Sequence, residues 1–126
     1  MDWHSTALAA GGIIGSAVAI IHGALVQRLM VEPLAATAGP MQRGPIRRIV
    51  PALLHFSTFN WFVCGVALIA AAYMLEPQAR LVAGLLVGSS YLYGAVGNLW
   101  ATRGRHPGWA LYTVALVLIA YGLSAP

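Results

Sequence analysis

The chain has 126 residues, of which 60% are hydrophobic and 8% charged, and its mean hydropathy is +0.77. A soluble domain has about 25% charged residues, so this composition excludes an ordinary water-soluble domain and a disordered chain. All seven basic residues are arginines. They lie in short loops between apolar runs rather than on one basic face, which argues against a nucleic-acid-binding protein. We expect a single membrane domain over residues 1–126.

Four apolar stretches are long enough to cross a bilayer as helices, since about 20 residues span roughly 30 Å of hydrocarbon. They cover about residues 5–30, 49–75, 80–101 and 108–125, and the fourth is the shortest. A transmembrane strand needs only about ten residues and alternates in polarity, so the lengths favour helices. The first stretch follows Asp2 rather than a basic segment, which favours a retained span over a cleaved signal peptide. The sequence therefore predicts an all-α integral membrane protein, a four-transmembrane-helix antiparallel bundle.

The three connections between these spans differ in kind. Residues 31–46 contain three prolines and two glycines, which predicts an irregular loop that lies on the surface or re-enters the membrane. Residues 76–79 leave room only for a tight hairpin, in which Pro77 suits the start of a helix. Residues 102–108 form a short basic turn.

Arginine is distributed unequally between the two ends of the predicted bundle. One end carries six of the seven, and Arg80 lies at the other end; the six are Arg28, Arg43, Arg47, Arg48, Arg103 and Arg105. By the positive-inside rule the arginine-rich end is cytoplasmic and both chain termini lie outside, which in a bacterium places the protein in the inner membrane. The loop arginines are also candidates for binding anionic lipid headgroups or phosphate, although topology alone would explain them; they are Arg43, Arg47, Arg48, Arg103 and Arg105.

Polar side chains inside the spans are the candidates for function, because they are costly in a membrane. At 1.5 Å per residue, His22, His55 and Asn98 lie roughly 7–11 Å from their span centres, all toward the arginine-rich end. Tyr91 is seven residues before Asn98 and shares its helix face. Small residues continue two of these faces, which we expect to point into the bundle; they are Gly11, Gly15 and Val18 with His22, and Gly84 and Gly88 with Tyr91 and Asn98.

Two imidazoles on neighbouring antiparallel helices are the arrangement that ligates heme iron axially or holds a metal ion in a bundle. The metal ligands would be His22 and His55, and zinc or copper would need a further ligand such as His106 or Glu32 from the loops. The alternative is that each histidine simply makes a hydrogen bond between helices.

The sequence thus predicts a non-catalytic binding protein, with heme as the first candidate ligand and a metal ion as the second. The ligand-binding residues would be His22, His55, Asn98 and Tyr91. A small oligomeric transporter or channel for an ion or metabolite is the main alternative, and a structural accessory subunit of a membrane complex is a further one. Glycine stripes on membrane helices favour close association, so we also expect a homo-oligomer or a place in a larger complex.

Overall fold

The computed structural model describes residues 2–37 and 44–124, and nearly all of them are helical. The four long helices are α1 (Trp3–Val26), α3 (Ile46–Met74), α4 (Pro77–Thr102) and α5 (Gly108–Leu123), and a short helix, α2 (Glu32–Ala36), extends α1. Three apolar stretches of helix are long enough to cross a membrane, namely Trp3–Ala36, Ile46–Met74 and Pro77–Thr102. The fourth, α5, is apolar but has only 16 residues.

The long helices form a four-membered bundle in which α1 and α4 lie on one diagonal. Each of these two helices packs against both α3 and α5. Neighbouring helices are antiparallel: the start of α1 meets the end of α5, where the His4 Nδ1 lies 2.9 Å from the Tyr121 carbonyl oxygen. The arginine-bearing segments consequently share one end of the bundle, and Arg80 lies at the opposite end, beside Ser5. The expected all-helical, antiparallel four-helix arrangement is confirmed.

The closest approach between helices is where α1 crosses α3. A Cβ atom built on Gly12 would lie 2.5 Å from the Gly65 carbonyl oxygen, and one built on Gly65 would lie 2.5 Å from the Gly12 carbonyl oxygen. No side chain fits between two backbones at this distance, so glycine is required on both helices. Small residues permit such close packing, which gains dispersion and weak Cα–H···O contacts.

Buried aromatic residues fill the centre of the bundle, and large hydrophobic residues, both aliphatic and aromatic, cover much of its outer surface. Tyr91 and Tyr112 are fully buried, whereas Phe56 and Leu86 are 65% and 69% exposed. Exposed large hydrophobic side chains occur on all four long helices. A continuous apolar exterior of this extent is costly in water and suits a lipid environment.

The first helix is longer than expected, which corrects the predicted boundary between helix and loop at residue 31. After α1, a π-helical turn covers Gln27–Val31 and α2 continues to Ala36. Pro33 is tolerated because it lies in the first turn of α2, directly after the π-helical turn, where the regular hydrogen-bond ladder is already interrupted. The remainder of the predicted irregular loop includes residues 38–43, which lie outside the described residues.

A small hydrogen-bond network joins α1 to α4 at the end opposite the arginine-rich segments. Asp2 caps α1 by accepting from the His4 backbone N–H at 3.0 Å. The Ser5 hydroxyl donates to Asp2 and accepts from Arg80 Nη1 at 3.2 Å. The hydrogen bond from Ser5 lowers the pKa of Asp2 below its ordinary 3.8. The resulting stabilisation is fully present above pH 3.8 and is lost as the pH falls through the lowered pKa.

Candidate functional site

A cavity of about 90 Å³ lies between α1, α4 and α5 at the arginine-rich end of the bundle. We refer to this cavity as the histidine niche, because two histidines line it. Its lining residues are Val18, Ile21, His22, Asn98, His106, Pro107, Gly108 and Leu111. The niche therefore contains two of the residues predicted to bind a ligand, His22 and Asn98, together with a histidine from the turn between α4 and α5.

His22 is held in the niche by a hydrogen bond to α3 and by an aromatic contact. Its Nε2 atom lies 3.2 Å from the Ser57 hydroxyl, and that hydroxyl donates its proton to the Leu54 carbonyl at 3.3 Å. His22 Nε2–H is then the donor to Ser57, so that in the neutral ring Nδ1 is a free acceptor. The ring also packs edge-on against Trp61, with 4.8 Å between the ring centroids.

Asn98 and His106 are held by the local structure at the end of α4. The Asn98 Nδ2 donates to the Gly94 carbonyl at 3.2 Å, so its Oδ1 remains an acceptor. His106 Nδ1 accepts from the Gly108 backbone N–H at 3.1 Å, which leaves the proton of the neutral ring on Nε2. A Cβ at Gly108 would lie 2.9 Å from His106 Nδ1 and 3.6 Å from Asn98 Oδ1. The absence of a side chain at this position keeps both groups close together.

Aromatic rings fill the bundle beneath the niche. Trp61 contacts His22 on one side and Tyr112 on the other, at a centroid distance of 5.2 Å from Tyr112. Tyr112 in turn lies 4.9 Å from Tyr91. Trp61 is 7% exposed and both tyrosines are 0% exposed, so these rings are tightly packed. This packing separates the niche from the interior of the opposite half of the bundle.

His55 does not line the niche, and the expectation that it shares one polar layer with His22 and Asn98 is corrected. Its Nε2 lies 3.1 Å from Gln27 Oε1. The Gln27 side chain also donates to Glu32 Oε1 at 3.4 Å. Gln27 is the first residue of the π-helical turn, and its amide therefore connects α3 to α2. The expectation rested on the similar depth of the two histidines along their helices. In the structure, each of them has its own hydrogen-bond partner.

Tyr91 is a packing residue rather than part of the niche. Its hydroxyl donates to the Trp61 carbonyl at 3.4 Å. The ring crosses the bundle from α4 to α1, where it fills the space beside Gly15, and a Cβ at Gly15 would overlap its hydroxyl. The expectation that Tyr91 and Asn98 face inward together is confirmed, because Tyr91 is buried and Asn98 lines the niche. The seven-residue spacing places them on one face but separates them by two helical turns.

The geometry does not fit heme or a metal ion held between His22 and His55. The niche, which His55 does not line, is also too small for heme, because pockets for drug-sized ligands occupy about 300–1,000 Å³, several times its volume. The Nε2 atoms of the two histidines are hydrogen-bonded to Ser57 and Gln27 respectively. Within residues 2–37 and 44–124, no group of three or more His, Cys, Asp or Glu residues is arranged to hold a metal ion.

His106 lines the niche, although the sequence analysis named it only as a loop residue that could supply a further metal ligand. The turn that contains it begins at Arg103, whose φ of 52° is left-handed, and continues through Gly104 with a φ of 76°. These two residues reverse the chain at the end of α4. The cue in the sequence is the Gly104 and Pro107-Gly108 pattern on either side of His106, which is typical of a tight turn.

The remaining predicted site residues are loop arginines, and those that the structure describes are exposed. No ion pair involves any of these arginines within the described part of the chain; they are Arg47, Arg48, Arg103 and Arg105. Arg43 lies outside the described residues. No protein-family model, curated protein or solved structure matches the chain.

Proposed function

We propose that this chain is an integral membrane protein that binds a small polar molecule in the histidine niche, near the cytoplasmic face. The observation that supports this proposal is the convergence of His22, Asn98 and His106 on one cavity from α1, α4 and the turn between α4 and α5. Polar groups inside a membrane are expensive unless they are partnered or functional. Each of these three side chains retains a hydrogen-bonding atom that its protein contacts do not use.

The size and polarity of the niche define the class of ligand. Its volume of about 90 Å³ equals that of roughly three water molecules in the liquid. His22 Nδ1 and Asn98 Oδ1 can accept hydrogen bonds, and His106 Nε2–H can donate one. Apart from the two imidazoles, no ionisable side chain of residues 2–37 and 44–124 lines the niche. We therefore propose a neutral ligand that carries both a donor and an acceptor.

Binding is favoured over passage through the bundle, because Trp61 and Tyr112 fill the core directly beneath the niche. A transporter or channel would need a route that these rings do not leave within one bundle. The accessory-subunit and homo-oligomer expectations remain predictions. The homo-oligomer expectation rested on glycine stripes. Three of these glycines, Gly11, Gly15 and Gly84, are buried inside the bundle and pack against its own helices.

Ligand binding is testable by NMR of the imidazole nitrogens, with formamide and acetamide as the probes. We expect saturable chemical-shift changes at His22 and His106, and none at His4, which lies at the other end of the bundle. Asn98→Leu keeps the branching of the side chain but removes the Oδ1 acceptor together with the Nδ2 donor to Gly94, so it should weaken binding by roughly 2- to 10-fold.

The matched control for this experiment is Asn60→Leu. Asn60 is also an intramembrane asparagine in the proposed arrangement, but it donates to Ser90 Oγ at 3.0 Å and does not line the niche. It should leave the probe affinity unchanged. Equal shifts at His4 and His22, or no saturable shift with either probe, would contradict the proposed binding site.

The proposed orientation has the arginine-rich end in the cytoplasm of a bacterial cell and both ends of the chain outside. It predicts opposite labelling of two exposed positions in a Cys64→Ser background, Gln78→Cys and Arg105→Cys. A membrane-impermeant maleimide should label Gln78→Cys on spheroplasts, whereas Arg105→Cys should react only after permeabilisation. The reverse pattern would show that the positive-inside rule does not hold for this protein.

A further inference from the structure

Two apolar grooves are lined by the π-helical turn and α2 on one side and by the first turns of α3 on the other, at the arginine-rich end. The smaller, of about 70 Å³, is lined by Val31, Leu34, Ala35, Ile46, Arg47, Val50 and Pro51. The larger, of about 430 Å³, is lined by Leu29, Met30, Pro33, Leu34, Thr37, Val50 and Leu54. Leu34 and Val50 line both, so the grooves run on either side of one ridge. Neither groove shares a residue with the histidine niche.

Among the residues that the structure describes, Arg47 is the only charged one that lines either groove. It is exposed and lies in the first turn of α3, directly before the exposed Arg48. Glu32 is the only acidic residue described at this end, and the Gln27 amide donates to it. A cation at the mouth of an apolar groove, with further cations around it and little opposing charge, is complementary to an anion that carries a hydrophobic tail.

We infer that the surface between α2 and α3 binds an anionic phospholipid, whose phosphate lies on Arg47, with the first few methylenes of one acyl chain in the smaller groove and part of the other chain in the larger groove, on either side of the Leu34–Val50 ridge. The guanidinium of arginine can bind phosphate oxygens with two parallel hydrogen bonds. The larger groove extends toward Leu29 of the π-helical turn and Leu54 of α3, which lie further from the arginine-rich end than Arg47 does. The site for the headgroup thus lies nearer the end of the bundle than the site for the acyl chains, as it does for a lipid in the membrane leaflet.

The local helix geometry explains why the site forms here. The π-helical turn and α2 prolong the first helix past Arg28, so that side chains of these two segments and of the first turns of α3 line the same grooves. This places apolar residues of both segments beside a helix start that bears arginine. Arg105, in contrast, lies at the same end of the bundle and is equally exposed, but it lines neither groove.

Native mass spectrometry of the full chain, released from nanodiscs of equal phosphatidylglycerol and phosphatidylcholine, tests the inference. We expect the chain to retain one phosphatidylglycerol in preference to phosphatidylcholine. Arg47→Gln should reduce this preference by about fivefold, the effect of one charge near an anionic surface. Arg105→Gln removes the same charge at the same end and should leave the preference unchanged.

A second pair of variants tests the grooves without changing charge. Ala35→Trp places a large side chain in the smaller groove and should reduce the amount of retained lipid, whereas Ala52→Trp, on an exposed position outside both grooves, should not. Equal losses for Arg47→Gln and Arg105→Gln would overturn the inference in favour of diffuse attraction to the membrane surface. Unchanged retention in Ala35→Trp would overturn the role of the groove. Stabilisation of delipidated protein by millimolar inorganic phosphate, lost in Arg47→Gln, would reassign the site to a free anion.

Discussion

Gly65→Ala should destabilise the bundle by about 3 kcal/mol or more, the upper end of the range for overpacking a core. A methyl group at this position would lie 2.5 Å from the Gly12 carbonyl oxygen and 2.9 Å from the Ser16 backbone nitrogen. Both are backbone atoms of α1, which cannot move aside as a flexible side chain would. The two helices would have to separate along their whole contact. The free energy of unfolding, measured in mixed micelles with increasing fractions of sodium dodecyl sulfate, should fall accordingly.

Gly97→Ala is the matched control for this prediction. Gly97 also lies within a long helix, but a Cβ built there meets no atom within 4 Å. Alanine is the better helix former by about 0.8–1.0 kcal/mol, so this variant should be as stable as the original chain or more stable. A similar loss of stability in the two variants would mean that the glycine requirement does not arise from the crossing of α1 and α3.

Tyr112→Phe should raise the free energy of unfolding by about 1–2 kcal/mol. The Tyr112 side chain is 0% exposed, and its hydroxyl has no hydrogen-bond partner among the described residues. A buried polar group without a partner costs about 1–3 kcal/mol, and phenylalanine removes the polar atom while it retains the ring contacts. Those contacts, with Trp61 and Tyr91, hold the centre of the bundle together.

Tyr91→Phe makes the same chemical change on the neighbouring ring and should have the opposite sign. The Tyr91 hydroxyl donates to the Trp61 carbonyl, and loss of a typical hydrogen bond costs about 0.5–1.5 kcal/mol. Comparison of the two single variants in the same unfolding assay separates the effect of hydrogen bonding from that of ring packing. Destabilisation by Tyr112→Phe would mean that its hydroxyl has a partner in the membrane-embedded protein.

The overall architecture could be predicted from the sequence because it depends on composition and length. Four apolar runs separated by short connections permit few arrangements, and the four-residue connection at 76–79 forces an antiparallel hairpin. The inward face of α4 was also predictable, because Gly84, Tyr91 and Asn98 recur at helical spacing among large aliphatic residues.

The continuation of the first helix past residue 31 was not predictable from local preferences. Proline usually marks the end of a helix, and Glu32-Pro33 follows an arginine that suits a membrane boundary. The π-helical turn reverses this expectation, because it interrupts the regular ladder immediately before Pro33. A π-helical turn depends on tertiary contacts, and the contact of Gln27 with His55 is one that no local pattern reveals.

The candidate site was predictable only in part, because depth along a helix fixes one coordinate and leaves the facing direction open. His22 and Asn98 share the niche, but His55 points to Gln27. The third member, His106, depends on the left-handed backbone of Arg103, a conformation that non-glycine residues rarely adopt. The predicted pair was His22 and His55, whereas the two histidines that line the niche are His22 and His106, which lies in the turn between α4 and α5.

The short α5 has a consequence for the surrounding membrane. Its 16 residues extend about 24 Å, whereas the 29 residues of α3 extend about 43 Å, and the hydrocarbon layer is about 30 Å thick. In the proposed arrangement the layer must thin beside α5, while the longer α3 tilts or emerges from it. Hydrophobic mismatch would thus be one-sided, and thinner bilayers should accommodate this protein at lower cost than thick, sterol-rich ones.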